Sequence, residues 1–498
     1  MQPDRAGTSM RNFHIGYRVG LILLAPAFAN AQGWSSDPAN NLIIANRSGE
    51  ETQPKILPRA DGGFYIAWFD NSDGGYDVRL QRLDVNGVEL WTHNGILVAD
   101  RSHSSTTDYG VAIDIDGNAL LSFQCCTQGA ADERLRVYKY SPAGAALFAS
   151  GGIAVSTLSE GQQVSHITGT SDGNAVVIWT NNAGQGRAQK LDSNGTPLWG
   201  ATGTTLPGPA TGLKFVADVK PGSNGDAIIA WSNQAASVRL LRAQKLASAD
   251  GAVLWGTDGI RISDTGGLSP GYFPKFQPDG SGGAVFAVGD FVGVTPLVRV
   301  QHLDTSGARL YGNDGVLVTS NSTRGHTSPA ASYDPASGDL YVAWIDQQQV
   351  GGDITHGLYA QRIDATGARG FSETGVELVP MTVATNGAQA LSQVVVLPAP
   401  QGMLATWVTG NTSVVAHPIS TLRVDATGAS VWAAAAHIKT SATSTSRLTA
   451  VTSTAGYAAF AWADSADGQT QSNDLRGQRL LYSGAFGDGL FANGFEGL

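Results

Sequence analysis

The chain has 498 residues, a net charge of −10 and only 14% charged residues. An acidic, weakly charged chain argues against nucleic acid and anionic membranes as partners. The 63 glycines suit many short strands joined by tight turns, and the two cysteines, which are adjacent, exclude a fold held by a disulfide framework.

Residues 1–31 have the pattern of a secretory signal peptide. Three arginines precede a short apolar run, namely Arg5, Arg11 and Arg18 before residues 19–24. Ala29-Asn30-Ala31 then supplies a small-x-small cleavage site. The apolar run is too short to span a membrane. We therefore expect a secreted or periplasmic protein without a membrane span. Cleavage after Ala31 removes three arginines and one aspartate, so the mature charge becomes −12.

The rest of the chain repeats at intervals of 52 to 63 residues. In residues 54–98, an extended stretch and a turn precede a hydrophobic strand that ends near Trp68. A polar loop, a third strand, the turn Asp84–Gly87 and a last strand through Leu90-Trp91 complete the repeat. Four strands joined by three turns make one blade of a β-propeller.

Two aromatic series predict eight blades. The second-strand series is Trp68, Phe123, Trp179, Trp231, Phe286, Trp344, Trp407 and Trp462. The outer-strand series is Trp91, Phe148, Trp199, Trp255, Tyr311, Phe371 and Trp432. Its missing eighth member is Trp34, at the other end of the chain. We therefore predict an all-β, closed eight-bladed propeller over residues 32–482, in which the N-terminal strand completes the last blade.

The turn after the third strand has a repeated composition. Five blades place Asp and Gly three residues apart there: Asp84/Gly87, Asp192/Gly195, Asp304/Gly307, Asp364/Gly367 and Asp425/Gly428. Asp accepts hydrogen bonds from the turn backbone, and Gly adopts the positive φ that closes a tight hairpin. We interpret these residues as structural.

The blade resembles a repeat found in secreted bacterial propeller proteins, with the pattern W-x-D…D-x-x-x-Q-R-L-D-x-x-G-x-x-L-W. Residues 68–91 carry it from Trp68-Phe69-Asp70 to Leu90-Trp91, and residues 344–364 carry most of it again. The resemblance covers residues 33–482. It implies the architecture and says almost nothing about activity, because one fold hosts many functions.

Acidic residues cluster in the loops after the second strands of three blades, on the face where propellers usually bind ligands. They are Asp70, Asp73, Asp77, Asp346, Asp353, Asp464, Asp467 and Asp474. Such carboxylates are candidates for binding a ligand or Ca²⁺, which takes six to eight oxygens. No loop matches D-x-D-x-D-G, because Phe69 stands where the first ligand belongs. Hydrogen bonding within the loops is the favoured interpretation.

Cys125-Cys126 follows the second strand of blade two and forms a candidate vicinal disulfide. The D-x-x-G-x-x-L-W repeat is similar to the longer D-x-x-x-G-x-x-x-W repeat of quinoprotein alcohol dehydrogenases, which are eight-bladed propellers with such a disulfide. That resemblance implies an oxidoreductase using pyrroloquinoline quinone, with Ca²⁺ and an aspartate base that the sequence does not place. The alternative is a pair of reduced, half-buried thiols.

No catalytic residues are predicted. Gly169-Thr170-Ser171-Asp172-Gly173 matches G-x-S-x-G but falls on a turn, whereas a nucleophile elbow joins a strand to a helix. Residues 483–498 form a tail whose Phe-x-x-Gly-Phe-Glu ending is similar to one on many exported bacterial proteins. It is interpreted either as a sorting signal or as a docked or disordered terminus.

Two functional hypotheses follow. The favoured one is a monomeric, non-enzymatic binding or scaffold protein that recognises a protein or glycan through its loop face and needs no cofactor. The alternative is the quinone-dependent oxidoreductase. The monotony of the blades favours the first, because catalytic sites tend to carry longer loops.

Overall fold

Eight four-stranded antiparallel sheets make up the protein, which we describe from a computed structural model. The structure describes Met1 and residues 33–129, 133–209, 211–235, 238–269, 271–384, 389–410, 416–466 and 472–486. The predicted signal peptide and most of the predicted tail lie outside these ranges. The one helix in the described ranges is a single 3-10 turn at Ser223–Gly225. No helix within them is long and apolar enough to cross a membrane.

Blades 1 to 4 follow one another along the chain, each with its strands in sequence order. Blade 1 contains β2 (Glu51–Pro58), β3 (Phe64–Asp70), β4 (Asp77–Leu83) and β5 (Ile96–Ala99). Blade 2 contains β6 (Gly110–Ile113), β7 (Ala119–Cys125), β8 (Arg134–Tyr140) and β9 (Ile153–Ala154). Blade 3 contains β10 (Gln162–Gly169), β11 (Ala175–Asn181), β12 (Gly186–Leu191) and β13 (Thr204–Thr205). Blade 4 contains β14 (Leu213–Pro221), β15 (Ala227–Ala235), β16 (Val238–Leu246) and β17 (Ile260–Arg261).

Blades 5 to 8 continue the ring, and the last blade takes its outer strand from the N-terminal segment. Blade 5 contains β18 (Phe276–Pro278), β19 (Ala284–Val292), β20 (Thr295–Leu303) and β21 (Val316–Leu317). Blade 6 contains β22 (Gly325–Asp334), β23 (Asp339–Val350), β24 (Asp353–Ile363) and β25 (Val376–Val383). Blade 7 contains β26 (Leu391–Ala399), β27 (Gly402–Thr409), β28 (Ile419–Asp425) and β29 (Ala436–Lys439). Blade 8 contains β30 (Ser444–Thr452), β31 (Tyr457–Ser465), β32 (Asn473–Leu481) and β1 (Leu42–Ala45).

The predicted closed ring is confirmed. β1 pairs antiparallel with β32, with Leu42 opposite Gly477. The first strands of blades 8 and 1, β30 and β2, contact each other, as do those of other neighbouring blades such as β22 and β26. The first strand of each blade therefore borders the central channel, and the fourth strand lies at the outer edge of the ring.

The aromatic residues predicted for the outer strands lie in the connections that precede the fourth strands, where each packs over the turn glycine of the next blade. A β-carbon at Gly87 would lie 2.7 Å from the Trp34 ring, and one at Gly307 would lie 2.7 Å from the Trp255 ring. The other six pairs are Trp91/Gly144, Phe148/Gly195, Trp199/Gly251, Tyr311/Gly367, Phe371/Gly428 and Trp432/Gly484. We call this contact the interblade latch. The glycine is therefore needed for space as well as for its positive φ.

The glutamine of the Q-R-L-D motif holds the outer connection of its own blade. Gln244 is fully buried; its amide donates to the Gly256 carbonyl at 2.7 Å, and its oxygen accepts the backbone N–H of Trp255 at 2.7 Å. Gln301 makes the same bonds to Gly312 and Tyr311. The motif therefore fixes the outer aromatic that forms the latch.

One member of the second-strand aromatic series was wrongly placed. In blade 1, Ile66 pairs with Gln81 of the motif and Trp68 pairs with Arg79. In blade 5, Phe286 pairs with the equivalent Gln301, and Val288 pairs with Arg299. Phe286 therefore occupies the position of Ile66, where it stacks on Phe276 at 5.0 Å. Blade 5 has Val288 where six of the other blades have Trp and blade 2 has Phe123.

Candidate ligand-binding channel

Asp70 and Asp464 lie at or next to the loop-face ends of their second strands, where their carboxylates are buried against cationic groups. Asp70 is 1% exposed and lies 3.1 Å from Arg47 and 2.6 Å from Arg79. Asp464 lies 3.0 Å from both Lys439 and Arg476. Arg79 and Arg476 lie on the neighbouring strand of the same blade, whereas Arg47 comes from the segment before β2 and Lys439 from the end of β29 in blade 7.

Asp346 has a similar environment in blade 6. Its carboxylate accepts the indole N–H of Trp344 at 2.6 Å, lies 2.6 Å from Nδ1 of His326 and accepts from Arg324 at 3.2 Å. The carboxylate is therefore surrounded by protein donors, as in the ion pairs of blades 1 and 8.

Three further loop-face candidates also have protein partners. Asp73 is more than half exposed and lies 2.7 Å from Arg47. Asp77 is buried, accepts the backbone N–H of Arg101 at 2.7 Å, and burial raises its pKa. Asp474 lies 3.4 Å from Arg476, and burial raises its pKa as well.

The last two candidates are not brought into these groups. Asp353 is an exposed residue that opens β24, and Asp467 lies outside the described residues. Within the described ranges, no group of three or more His, Cys, Asp or Glu side chains is arranged to hold a metal ion. Calcium binding by these loops stays a prediction.

Cys125 and Cys126 are joined as a disulfide at the end of β7. Cys125 is fully buried between blades 1 and 2, with its sulfur 3.1 Å from the hydroxyl of Tyr138. Because β7 is the second strand of its blade, the disulfide lies one strand away from the strands that border the channel.

A set of charged residues that motif analysis missed borders the channel itself. Lys55, His166, Asp218 and Lys275 occupy equivalent positions on, or directly before, the first strands of blades 1, 3, 4 and 5, as the strand registers show. Asp108 comes from blade 2, just before β6. We call these five residues the axial cluster.

In the first half of the axial cluster, Asp108 is placed between two basic residues. The Lys55 ammonium lies 2.5 Å from Asp108 and also donates to the Tyr109 carbonyl. Nε2 of His166 lies 3.7 Å from the other oxygen of Asp108. These contacts cross the seams between blades 1, 2 and 3.

Asp218 and Lys275 form the second half. The Asp218 carboxylate lies 3.1 Å from the Lys220 ammonium and accepts the backbone N–H of Phe276, in blade 5, at 3.2 Å. Lys275 is exposed, and no acceptor lies within hydrogen-bond distance of its ammonium among the residues that the structure describes. Lys275 is therefore the cation of the cluster that has no direct partner there.

Burial controls ionisation within the cluster. It lowers the pKa of His166 to about 4 even though Asp108 is close, so the imidazole is neutral at pH 7. It lowers the pKa of Lys55 to about 8, against the opposing effect of Asp108. Burial would raise the pKa of Asp108, but Lys55, His166 and Lys275 outweigh it and hold that pKa well below its usual range.

The cluster lies inside the channel, below the loop face. Glu51, the first residue of β2, pairs with Asp70 at the loop-face end of β3. Lys55 pairs with Ala67, three residues from Asp70 along β3, because a β-bulge between Thr52 and Lys55 takes up the extra length of β2. Lys55 is therefore roughly 10 Å below Asp70 at about 3.3 Å per residue. The exposed Phe273, two residues before Lys275, lies 5.2 Å from the Arg239 guanidinium. The site therefore combines charged groups in the channel with an aromatic ring close by in the chain.

The cluster can be found by comparing which residue each blade has at the first-strand position of Lys55. The residues equivalent to Lys55 in blades 6, 7 and 8 are Ala330, Val395 and Thr449. Charge at this position therefore belongs to one part of the ring and is not a property of the repeat.

Comparisons with known proteins identify no family for this chain. No protein-family model matches the chain, and no curated protein matches it either. Among solved structures, the Dos1 propeller is 12% identical with a TM-score of 0.46, covering 88% of this chain and 95% of its own. The polysaccharide lyase Uly1 is 11% identical, with a TM-score of 0.43 and coverages of 91% and 93%. The GH93 α-L-arabinofuranosidase of Fusarium graminearum is 11% identical, with a TM-score of 0.38 and coverages of 65% and 94%. At such identities the likeness is one of fold alone.

Proposed function

We propose that this eight-bladed propeller is a secreted binding protein for an acidic glycan, which it takes up at the loop-face mouth of its channel. The observation that carries the proposal is the axial cluster. Four ionisable residues, in blades 1, 3, 4 and 5, occupy one channel position at which the remaining blades have Gly110, Ala330, Val395 and Thr449, and Asp108 lies beside them. The stability of a blade does not require charge there.

The depth of the cluster favours a glycan chain over a protein surface. A flat protein surface contacts the loops at the channel mouth and does not reach side chains roughly 10 Å inside a channel. A single saccharide chain is narrow enough to enter. The exposed Phe273 ring offers an apolar face near the lysine, in keeping with sites that combine aromatic walls and a few polar groups.

The charge balance of the cluster favours a carboxylate on that glycan. Lys55 is paired with Asp108 and Lys220 with Asp218, whereas Lys275 has no acceptor within hydrogen-bond distance in the described part of the chain. An ammonium without a partner is a suitable group to bind a carboxylate, because hydrogen bonds to charged groups are the strong ones. We therefore infer a hexuronate-containing oligosaccharide as the ligand.

Calorimetric titration tests this function. Oligouronates should bind the mature protein, and neutral oligosaccharides of equal length should bind far more weakly. Lys275→Met should weaken oligouronate binding by about tenfold or more, while Lys275→Arg keeps most of the affinity. Absence of oligouronate binding to the folded wild-type protein would refute the proposal.

The disulfide favours a second candidate, a quinone-dependent oxidoreductase. Its test is a thermal melt with added pyrroloquinoline quinone and Ca²⁺, together with dye-linked alcohol oxidation. Under the binding hypothesis neither addition changes the melt, and no alcohol oxidation is seen. A melting shift and activity that both disappear when Cys125 and Cys126 are replaced by alanine would establish the oxidoreductase instead.

A further inference from the structure

A cavity of about 300 Å³ lies at the seam between blades 5 and 6. Its walls include Tyr272, Phe273 and Lys275 of blade 5, and Pro329 and Ala330 of blade 6. Ligand cavities of this size are usually apolar with a few placed polar groups, and this wall composition fits that description. We call it the seam cavity.

A local departure from the repeat borders the seam cavity. Blade 5 has Gly289 where blade 1 has Phe69. A β-carbon at Gly289 would lie 3.6 Å from both the Tyr272 ring and Pro329, so these two walls of the cavity approach the backbone where blade 1 has a large side chain. The first strand of the blade, β18, is only three residues long. Tyr272, Phe273 and Lys275 therefore line the cavity from the segment that precedes β18.

Two polar groups of the wall are placed to hold a ligand. The Tyr272 hydroxyl accepts the backbone N–H of Gly289 at 3.1 Å, and its own hydrogen has no acceptor among the described residues. The Lys275 ammonium likewise lacks a hydrogen-bonded partner there. Gln277, the other polar side chain of the wall, is occupied by its bonds to Ala331 and Tyr333 of blade 6.

We propose that the seam cavity binds a small aromatic carboxylate. A cavity of about 150 Å³ accommodates benzene, so one of twice that volume has room for a phenyl ring and a short chain. The ring packs between Phe273 and the Pro329–Ala330 segment, Lys275 binds the carboxylate, and the Tyr272 hydroxyl donates to it. This ligand class is separate from the acidic glycan, although both use Lys275.

The test uses 3-phenylpropionate as the probe, titrated into the mature protein by calorimetry and by ligand-observed NMR. We expect binding, with propionate at least about tenfold weaker because it lacks the ring. Ala331 packs with the apolar residues of the blade 5–6 seam, so Ala331→Leu fills the cavity and should weaken phenylpropionate binding by about tenfold or more. Val396→Leu is the matched control, since Val396 has the equivalent position in blade 7, away from the cavity. It should leave binding unchanged.

The lysine variants complete the test. Lys275→Met should weaken phenylpropionate binding by about tenfold, and Lys275→Arg should restore most of it. The inference is overturned if folded wild-type protein does not bind phenylpropionate at millimolar concentration, or if Ala331→Leu binds it as the wild type does. Oligouronate binding that survives Ala331→Leu shows that the glycan does not need the cavity, so failure of the cavity and failure of the glycan function remain distinguishable.

Discussion

The turn glycines show how one residue serves both a hairpin and the contact between blades. Gly307 has φ +84° and, in the same position, leaves room for the Trp255 ring of the preceding blade. The indole N–H of Trp255 donates to the carbonyl of Thr305 in that turn at 3.0 Å. The aspartate and glycine of this turn could be predicted from turn chemistry. The interblade latch could not, because it joins residues of two blades and depends on how neighbouring blades pack.

Gly307→Ala should destabilise the protein more than Gly312→Ala. Both glycines have positive φ, so both substitutions introduce similar backbone strain. Only at Gly307 does the new methyl meet an aromatic ring, at 2.7 Å, whereas Gly312 has no atom within 4 Å. We expect an additional loss of about 1–3 kcal/mol in the free energy of unfolding for Gly307→Ala. Denaturant melts of the two variants measure it; equal losses would show that the latch contributes nothing.

Glu51 is a buried carboxyl at the junction of blades 8 and 1. It is fully buried, accepts the backbone N–H of Arg47 at 2.7 Å, and its second oxygen has no hydrogen-bond partner among the described residues. Burial, together with Asp70 and Asp474, raises its pKa from 4.5 to about 8. The folded protein therefore favours the protonated form.

Glu51→Gln should change how stability depends on pH. A carboxyl whose pKa is raised by folding is least harmful below pH 4.5 and destabilises progressively as pH rises to 8. Each pKa unit by which the Glu51 carboxyl differs between the folded and unfolded protein corresponds to about 1.4 kcal/mol of unfolding free energy. Relative to the wild type, the variant should therefore gain a few kcal/mol in the free energy of unfolding at pH 9 and almost nothing at pH 4.5. Melting temperatures across this range test it, and a constant difference between variant and wild type would contradict it.

At the scale of the strand, the sequence predicted the blades well because their signals are local. Alternating hydrophobic strands, Asp–Gly turns and outer aromatics each lie within a few residues of one another. The misplacement of Phe286 arose because blade 5 lacks the expected aromatic and has another two residues earlier. The axial cluster was missed since its members are 52 to 58 residues apart and match no motif. Only the register of the first strands aligns them.

Removal of residues 32–46 should destabilise the entire propeller. The deletion leaves β32 without its outer neighbour and Gly87 without the Trp34 ring, so an unpaired edge is exposed. Loss of the buried tryptophan alone is worth about 3 kcal/mol or more. The matched control is deletion of residues 487–498, beyond the last blade strand. A thermal melt that stays at the wild-type temperature after removal of 32–46 would disprove closure by this strand.

At the scale of the whole molecule, blade 8 differs from the other blades in connectivity. Its third strand, β32, and its fourth strand, β1, are not joined by the chain, whereas in every other blade one continuous segment joins the third strand to the fourth. In blade 1 three residues lie between Gly87 and Trp91, and in blade 5 three lie between Gly307 and Tyr311. Fusing Phe486 directly to Gly33 would give the same spacing between Gly484 and Trp34. Blade 8 therefore differs from the other blades only in how its strands are connected, and the spacing between its turn glycine and its aromatic residue follows the repeat.

A circular permutant should fold to the same propeller. It begins at Arg47 and carries residues 33–46 directly behind Phe486. We expect a melting temperature equal to or above that of the unpermuted chain 32–498, because the closing strand becomes a local hairpin partner and ring closure loses less chain entropy. Circular dichroism and thermal melts measure this. A permutant that is unfolded, beside a folded unpermuted chain, would show that blade 8 does not follow the repeat.

Closure by β1 also sets an order of events during biosynthesis. The strand that leaves the ribosome first is paired with β32, which is among the last to be made, so no nascent chain possesses its own final seam. At about 5–20 residues per second, the N-terminal segment waits tens of seconds for its partner. Until then the growing chain is an open arc with exposed strand edges at both ends. A protein that is exported before folding avoids this interval altogether, since both ends of the ring then reach the folding compartment within one translocation event.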